Sequence, residues 1–240
     1  MIVNSVRFNP NNIFIKSNPN KVLAFRGTDN PLEIQDQYIS SESKNNTVTI
    51  LGSSKDADFI KDAITMTSLI SNELVKRGYS ILTGCGDKGI MGAAYKGALS
   101  AEKDPENPEK NLAILTKPIW GDEDTQHCKV ISKPAVSESD RIENGFLKAS
   151  NNFLIMPGGP CSIQEASTLI AKNKYRAKDT PPLNIFLVGK DYYKGLIQQY
   201  DDMDKKAGLL GTKPENLFTV IEPEDVLEKF PDLKQPEKKV

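Results

Sequence analysis

Pro157-Gly158-Gly159-Pro160-Cys161-Ser162-Ile163-Gln164-Glu165 brings a glycine turn, a hydroxyl and a carboxylate together in one short stretch. The apolar run before it breaks at the Pro-Gly-Gly turn and restarts as a helix, so backbone N–H groups converge with a helix N-terminus. Such a corner binds anions, phosphate above all. Ser162 and the N–H groups of Gly158, Gly159 and Cys161 are the expected donors, since Pro160 has no N–H. Glu165 follows Ser162 by three residues, so a helical turn that holds phosphate also aims the carboxylate at whatever the phosphate carries. The same Ser-x-x-Glu spacing is a capping box, in which Glu165 and a Ser162 cap would serve the helix start instead. Arg141, on a helix predicted before this turn, either clamps an anion through charge-assisted hydrogen bonds or is an ordinary solvated arginine.

Two further loops stand where strands are predicted to end: Gly52-Ser53-Ser54 and Gly84-Cys85-Gly86-Asp87-Lys88-Gly89. The second matches G-x-G-x-x-G and precedes a predicted helix at Ile90-Met91-Gly92-Ala93, as a dinucleotide fingerprint does. A dinucleotide site also wants an acidic residue at the end of the next strand, to hold the ribose. That strand ends in Leu115-Thr116-Lys117-Pro118, so a mononucleotide pocket fits better, and glycines that only turn and pack remain an alternative.

Cys85, Cys128 and Cys161 form an odd, widely spaced set without a C-x-x-C pair, which argues against a disulfide framework. They are read as ordinary core or loop thiols. Neither a metal site joining them to His127 nor a His127–Cys161 nucleophilic pair finds support in the spacing.

These loops need a scaffold. The chain has 240 residues, 38% hydrophobic and 26% charged, with a net charge of −1, which suits a folded α/β domain. Lys and Arg are scattered, so no nucleic-acid footprint exists. No apolar run reaches the roughly 18–20 residues that cross a bilayer, and the start lacks a signal-peptide core, so a cytoplasmic protein with no membrane partner is expected.

Residues 1–46 read as an N-terminal extension: a hairpin at Ile13-Phe14-Ile15 and Val22-Leu23-Ala24-Phe25, then a polar linker through 40–46. From Thr47 to the end, β-rich runs alternate with helix-period segments. This predicts a doubly wound parallel sheet with helices on both faces. Strands are expected at Val48–Leu51, Ser80–Thr83, Leu112–Leu115, Lys129–Ile131, Phe153–Met156, Asn184–Leu187 and Phe218–Ile221. Between the first two, Ile60, Ile64, Leu69, Ile70, Leu74 and Val75 form one apolar helical stripe, ending at a Gly78 cap. Ligands in such folds sit beyond the carboxyl ends of the strands, near a switch in strand order.

Taken together, Ile50-Leu51-Gly52-Ser53-Ser54, Leu82-Thr83-Gly84-Cys85-Gly86 with Gly89-Ile90-Met91-Gly92, and Pro157–Glu165 resemble the LOG ("lonely guy") family. These are nucleoside 5′-monophosphate phosphoribohydrolases, also labelled lysine-decarboxylase-like. The resemblance runs from about Thr47 to Phe230. It implies a Rossmann-like homodimer that hydrolyses the N-glycosidic bond of AMP or a cytokinin riboside monophosphate to free base and ribose 5-phosphate. Neither metal nor organic cofactor is required. Glu165 and Arg141 carry over as catalytic residues, the carboxylate stabilising the oxocarbenium-like ribose or activating water. Gly52, Ser53, Ser54, Gly84, Gly86, Gly89, Met91, Gly158, Gly159, Cys161 and Ser162 carry over as the substrate pocket. Decarboxylation is a poor fit, because no lysine has a setting for a pyridoxal phosphate Schiff base.

The family signature is P-G-G-x-G-T-x-x-E, with an arginine on the preceding helix. Cys161 replaces its last glycine, where a Cβ would cost about 1–2 kcal/mol if the backbone must be left-handed. Ser162 replaces the threonine and Cys85 interrupts a glycine run. Val136–Asp140 stands where the family has a Met-His segment. Arg141 lies one residue farther from the turn than is usual, about 100° of helical rotation. A non-catalytic nucleotide-binding or carrier protein of the same fold is the alternative these departures support.

Overall fold

The computed structural model describes residues 32–116 and 127–233, and the hairpin expected near residues 13–25 lies outside them. Seven parallel strands form one sheet: β1 Thr47–Leu51, β2 Ser80–Thr83, β3 Asn111–Ala113, β4 Lys129–Val130, β5 Asn152–Ile155, β6 Asn184–Val188 and β7 Thr219–Ile221. Their order is β4-β3-β2-β1-β5-β6-β7, the doubly wound arrangement expected. Each predicted strand is present within two residues of its expected bounds.

The strands alternate their side chains between two apolar layers, as the pleat requires. Val48, Ile50, Leu154 and Met156 face one layer with Ile70 and Leu74 of α2 (Lys61–Lys76) and Ile90 and Ala94 of α3 (Gly89–Leu99). Leu51, Phe153 and Ile155 face the other, with Leu169 and Ile170 of α6 (Pro160–Lys174) and Tyr193 of α7 (Lys190–Lys205). Gly78 takes φ 102° just past α2, the left-handed cap expected there. Leu69 departs from the predicted stripe. It is 60% exposed, because its neighbour Ile70 takes the core-facing position.

The polar stretch 40–46 is a short helix rather than a linker. α1 (Ser41–Asn45) is capped by Ser40, whose hydroxyl accepts from the Ser43 N–H at 3.1 Å. Leu32, ahead of it, is buried in the same apolar layer as Leu51 and Phe153. Among the described residues no helix is long and apolar enough to cross a membrane.

The helix that carries Arg141 has an internal irregularity. α4 (Glu138–Asp140), a π-helical turn (Arg141–Phe146) and α5 (Leu147–Ala149) follow one another without a break. Ser137 caps its start by accepting from Asp140 N–H at 3.1 Å, and Asp140 accepts in return from Val136 N–H at 3.0 Å. In the π turn, Leu147 N–H reaches back to the Ile142 carbonyl, one residue farther than in an α-helix. A π turn accommodates one additional residue. The Arg141 side chain reaches Gly84, just past the end of β2.

Candidate functional site

The strand order reverses between β1 and β5, so the switch point lies at their carboxyl ends, where Gly52 and Pro157 follow. The two loops are stitched together: Ser53 N–H donates to the Pro157 carbonyl at 3.1 Å, and Met156 N–H to the Leu51 carbonyl at 2.8 Å. A Cβ on Gly158 would stand 2.1 Å from Ser162 Oγ and 2.9 Å from the Gly52 carbonyl carbon. Only glycine allows this approach. From α7, the Tyr193 hydroxyl donates to the Met156 carbonyl at 2.7 Å and the Tyr192 hydroxyl to the Gly158 carbonyl, which fixes the turn from above.

α6 begins at Pro160 with Gly159 as its N-cap, and no side chain caps it. Ser162 therefore sits within the first helical turn, and the capping-box alternative is not formed. Among the described residues no acceptor takes the N–H of Gly158, Gly159, Cys161 or Ser162. Four unpaired backbone donors thus lie in the turn and first helical turn that also hold the buried Ser162 hydroxyl, and the helix adds its positive end. Cys161 is an exposed free thiol. Its backbone is not left-handed, so the expected cost of a Cβ there does not arise: among described non-glycine residues only Cys85 has positive φ, at 57°.

Arg141 lies close enough to Glu165 to act on its charge, in an arrangement the sequence did not anticipate. Arg141 is 7% exposed rather than solvated, and its guanidinium lies on Gly84, where an added Cβ would be 2.5 Å from Nη1. Its Nε and Nη2 donate to Glu138, with Nη2 at 2.9 and 2.8 Å from the two carboxylate oxygens. The Phe146 ring centroid is 5.6 Å from the guanidinium carbon. Glu165 is 5% exposed. Burial first, then the neighbouring Glu138 carboxylate, push its pKa up to about 8, against the opposing pull of Arg141, and Glu138 is also its hydrogen-bond partner. Burial and the neighbouring carboxylate thus favour the protonated form of Glu165. Glu138 is the site residue that sequence reading missed.

The second loop does less at the pocket than expected. Gly89 N–H donates to Asp56 Oδ1 at 3.0 Å and Met91 N–H to the Ser53 carbonyl at 3.2 Å, so protein atoms already occupy these donors of α3. Gly52 and Gly86 are close-packing positions, where an added Cβ would fall 2.5 Å from Ile90 Cγ2 and 2.9 Å from Met91 Cε. The Ser53 hydroxyl closes its own turn by donating to the Lys55 carbonyl at 2.8 Å. Ser54 lies in the same loop and is half-buried. Of these residues, Gly52 and Ser53 abut the Pro157–Gly158 turn.

Cys85 and Cys128 are not the free core or loop thiols expected. They form a disulfide, joining the loop after β2 to the start of β4 on either side of β3. Spacing in sequence gave no hint of it, because strand order creates the proximity. Among the described residues no group of three His, Cys, Asp or Glu side chains could hold a metal ion.

Fold and site define a Rossmann-like α/β protein with an N–H-lined turn at its switch point. No family model matches the chain, and no curated protein matches it in sequence. Solved structures do resemble it. The molybdenum cofactor binding protein from the phototrophic bacterium Rippkaea orientalis shares 18% identity at a TM-score of 0.50, over 77% of this chain and 94% of that one. The Moco carrier protein from Chlamydomonas reinhardtii shares 17% identity at a TM-score of 0.52, over 77% and 94%. At this identity the likeness establishes the fold.

Proposed function

We propose that this chain binds and carries a phosphorylated, nucleotide-like small molecule, with the phosphate on the Gly158–Ser162 turn, and does not hydrolyse it. The observation that carries this reading is the set of backbone N–H groups on the Gly158–Ser162 turn that no described residue accepts. An ionised carboxylate beside the developing ribose cation assists N-glycosidic hydrolysis. Burial and the neighbouring Glu138 raise the Glu165 pKa to about 8, which disfavours that ionised form, and Arg141 is engaged by Glu138. The turn keeps its donors, which suffice for binding. Both structural neighbours are named for binding or carrying a cofactor, which supports extending the carrying role here.

A homodimer, which the family resemblance implies, belongs to the same reading. The binding test is calorimetric titration with ribose 5-phosphate, comparing the native chain with Ser162→Ala. Saturable binding, weakened about tenfold in the variant, is expected from the loss of one hydrogen bond to a charged group. No binding, or equal binding by both, contradicts the reading.

A further inference from the structure

The geometry points to Phe59, backed by Tyr192, as the stacking platform for a planar heteroaromatic ring on the ligand whose phosphate lies at the Gly158 turn. Phe59 belongs to a 3-10 turn (Asp58–Ile60) between the β1 loop and α2. Residues of a 3-10 helix diverge by a third of a turn, so burying Ile60 forces its neighbour outward. Ile60 is 7% exposed and Phe59 82%.

Exposure alone would mean little, since single apolar residues on surfaces are common. The position of the ring is what matters. Phe59 follows β1 and Tyr192 follows β6, and β5 lies between those strands. The two rings nevertheless meet, with centroids 6.0 Å apart and planes inclined by 41°. They therefore meet across the carboxyl end of β5, where the Pro157 turn begins. Tyr192 is bound into that turn through its hydroxyl on the Gly158 carbonyl, and its ring packs edge-on to Tyr193 at 5.0 Å. The inner ring is thus held rigidly and the outer one leaves its surface open to solvent. Purines and other flat, fused nitrogen heterocycles, which present a broad π-face, are the class of group that stacks on such a surface. The proposal rests on the phosphate-binding reading and adds to it the chemistry of the group attached to the phosphate.

The test compares two probes, AMP and ribose 5-phosphate, on the native chain, Phe59→Ala and Phe59→Trp. AMP is expected to bind more tightly than ribose 5-phosphate to the native chain, and Phe59→Ala is expected to remove about tenfold of AMP affinity by loss of one stacking contact. Ribose 5-phosphate should bind all three proteins equally, and Phe59→Trp should restore AMP binding. Thermal unfolding should be unchanged, because the side chain is outside the core. Equal affinity for the two probes on the native chain, or equal loss of both in Phe59→Ala, overturns the platform while leaving phosphate binding intact. Failure of ribose 5-phosphate itself to bind overturns the phosphate site and the platform with it.

Discussion

Glu138 and Arg141, one helical turn apart, form a nearly buried ion pair in which Nη2 lies 2.8 Å from Oε2. Glu138 holds the guanidinium and adds its own negative charge to the burial that raises the Glu165 pKa. Glu138→Gln removes that negative charge while Arg141 continues to favour the ionised form of Glu165. The Glu165 pKa is then expected to fall from about 8 toward the ordinary carboxylate range, since a nearby cation favours ionisation. Side-chain carboxyl titration by NMR measures this, and an unchanged value would show that Glu138 does not control it.

Stability should depend on pH through the same group. The folded-state pKa of Glu165 lies above the unfolded one, so the folded chain holds a proton that the unfolded chain has lost between about pH 4.5 and 8. Stability is therefore highest below that window and declines as pH rises through it. The slope contributed by one such proton is at most about 1.4 kcal/mol per pH unit. Denaturant unfolding from pH 5 to 9 should show the decline in the native chain and a flatter profile in Glu165→Gln. A rise in stability across that range would contradict the assignment.

The disulfide makes a count that is easily checked. Thiol titration of the unfolded, unreduced chain should find one reactive cysteine, Cys161, because Cys85 and Cys128 are joined. Replacing both bonded residues by serine should cost about 2–4 kcal/mol of stability. Three reactive thiols would show the bond to be absent. Disulfides are uncommon in the reducing cytosol, so the count also bears on where this chain resides.

Adjacent glycines of the turn should respond differently to a methyl group. At Gly158 an added Cβ meets Ser162 Oγ at 2.1 Å, whereas at Gly159 nothing lies within 4 Å. Gly158→Ala is expected to cost about 1–3 kcal/mol by overpacking, and Gly159→Ala to stay within about 0.5 kcal/mol of the native chain. Thermal unfolding of the two variants decides, and equal stabilities would mean that the loops do not abut as described.

Much of the fold was legible in the sequence because the strands announce themselves as apolar runs ended by glycine loops. Gly158 and Ser162 were readable for the same reason, as turn and helix start are local. What was hidden depends on neighbours distant in sequence. Cys85 meets Cys128 only once β2, β3 and β4 are laid side by side. Gly89 and Met91 looked like open donors, yet Asp56 and Ser53 fill them from another loop. Glu138 was unreadable because its place beside Glu165 depends on the π turn at 141–146, which spacing arguments based on a regular helix cannot foresee. Ser40–Asn46 was read as a linker from its polar composition, although Ser40 supplies a helix cap.

Incubation with AMP at pH 7 decides whether the site only binds its ligand or also cleaves it. Free adenine and ribose 5-phosphate are followed by chromatography in the native chain and in Glu165→Gln. AMP is expected to bind and to be recovered intact from both proteins. Adenine released by the native chain and not by Glu165→Gln would contradict the binding-only reading, and would make the buried carboxyl a catalytic residue.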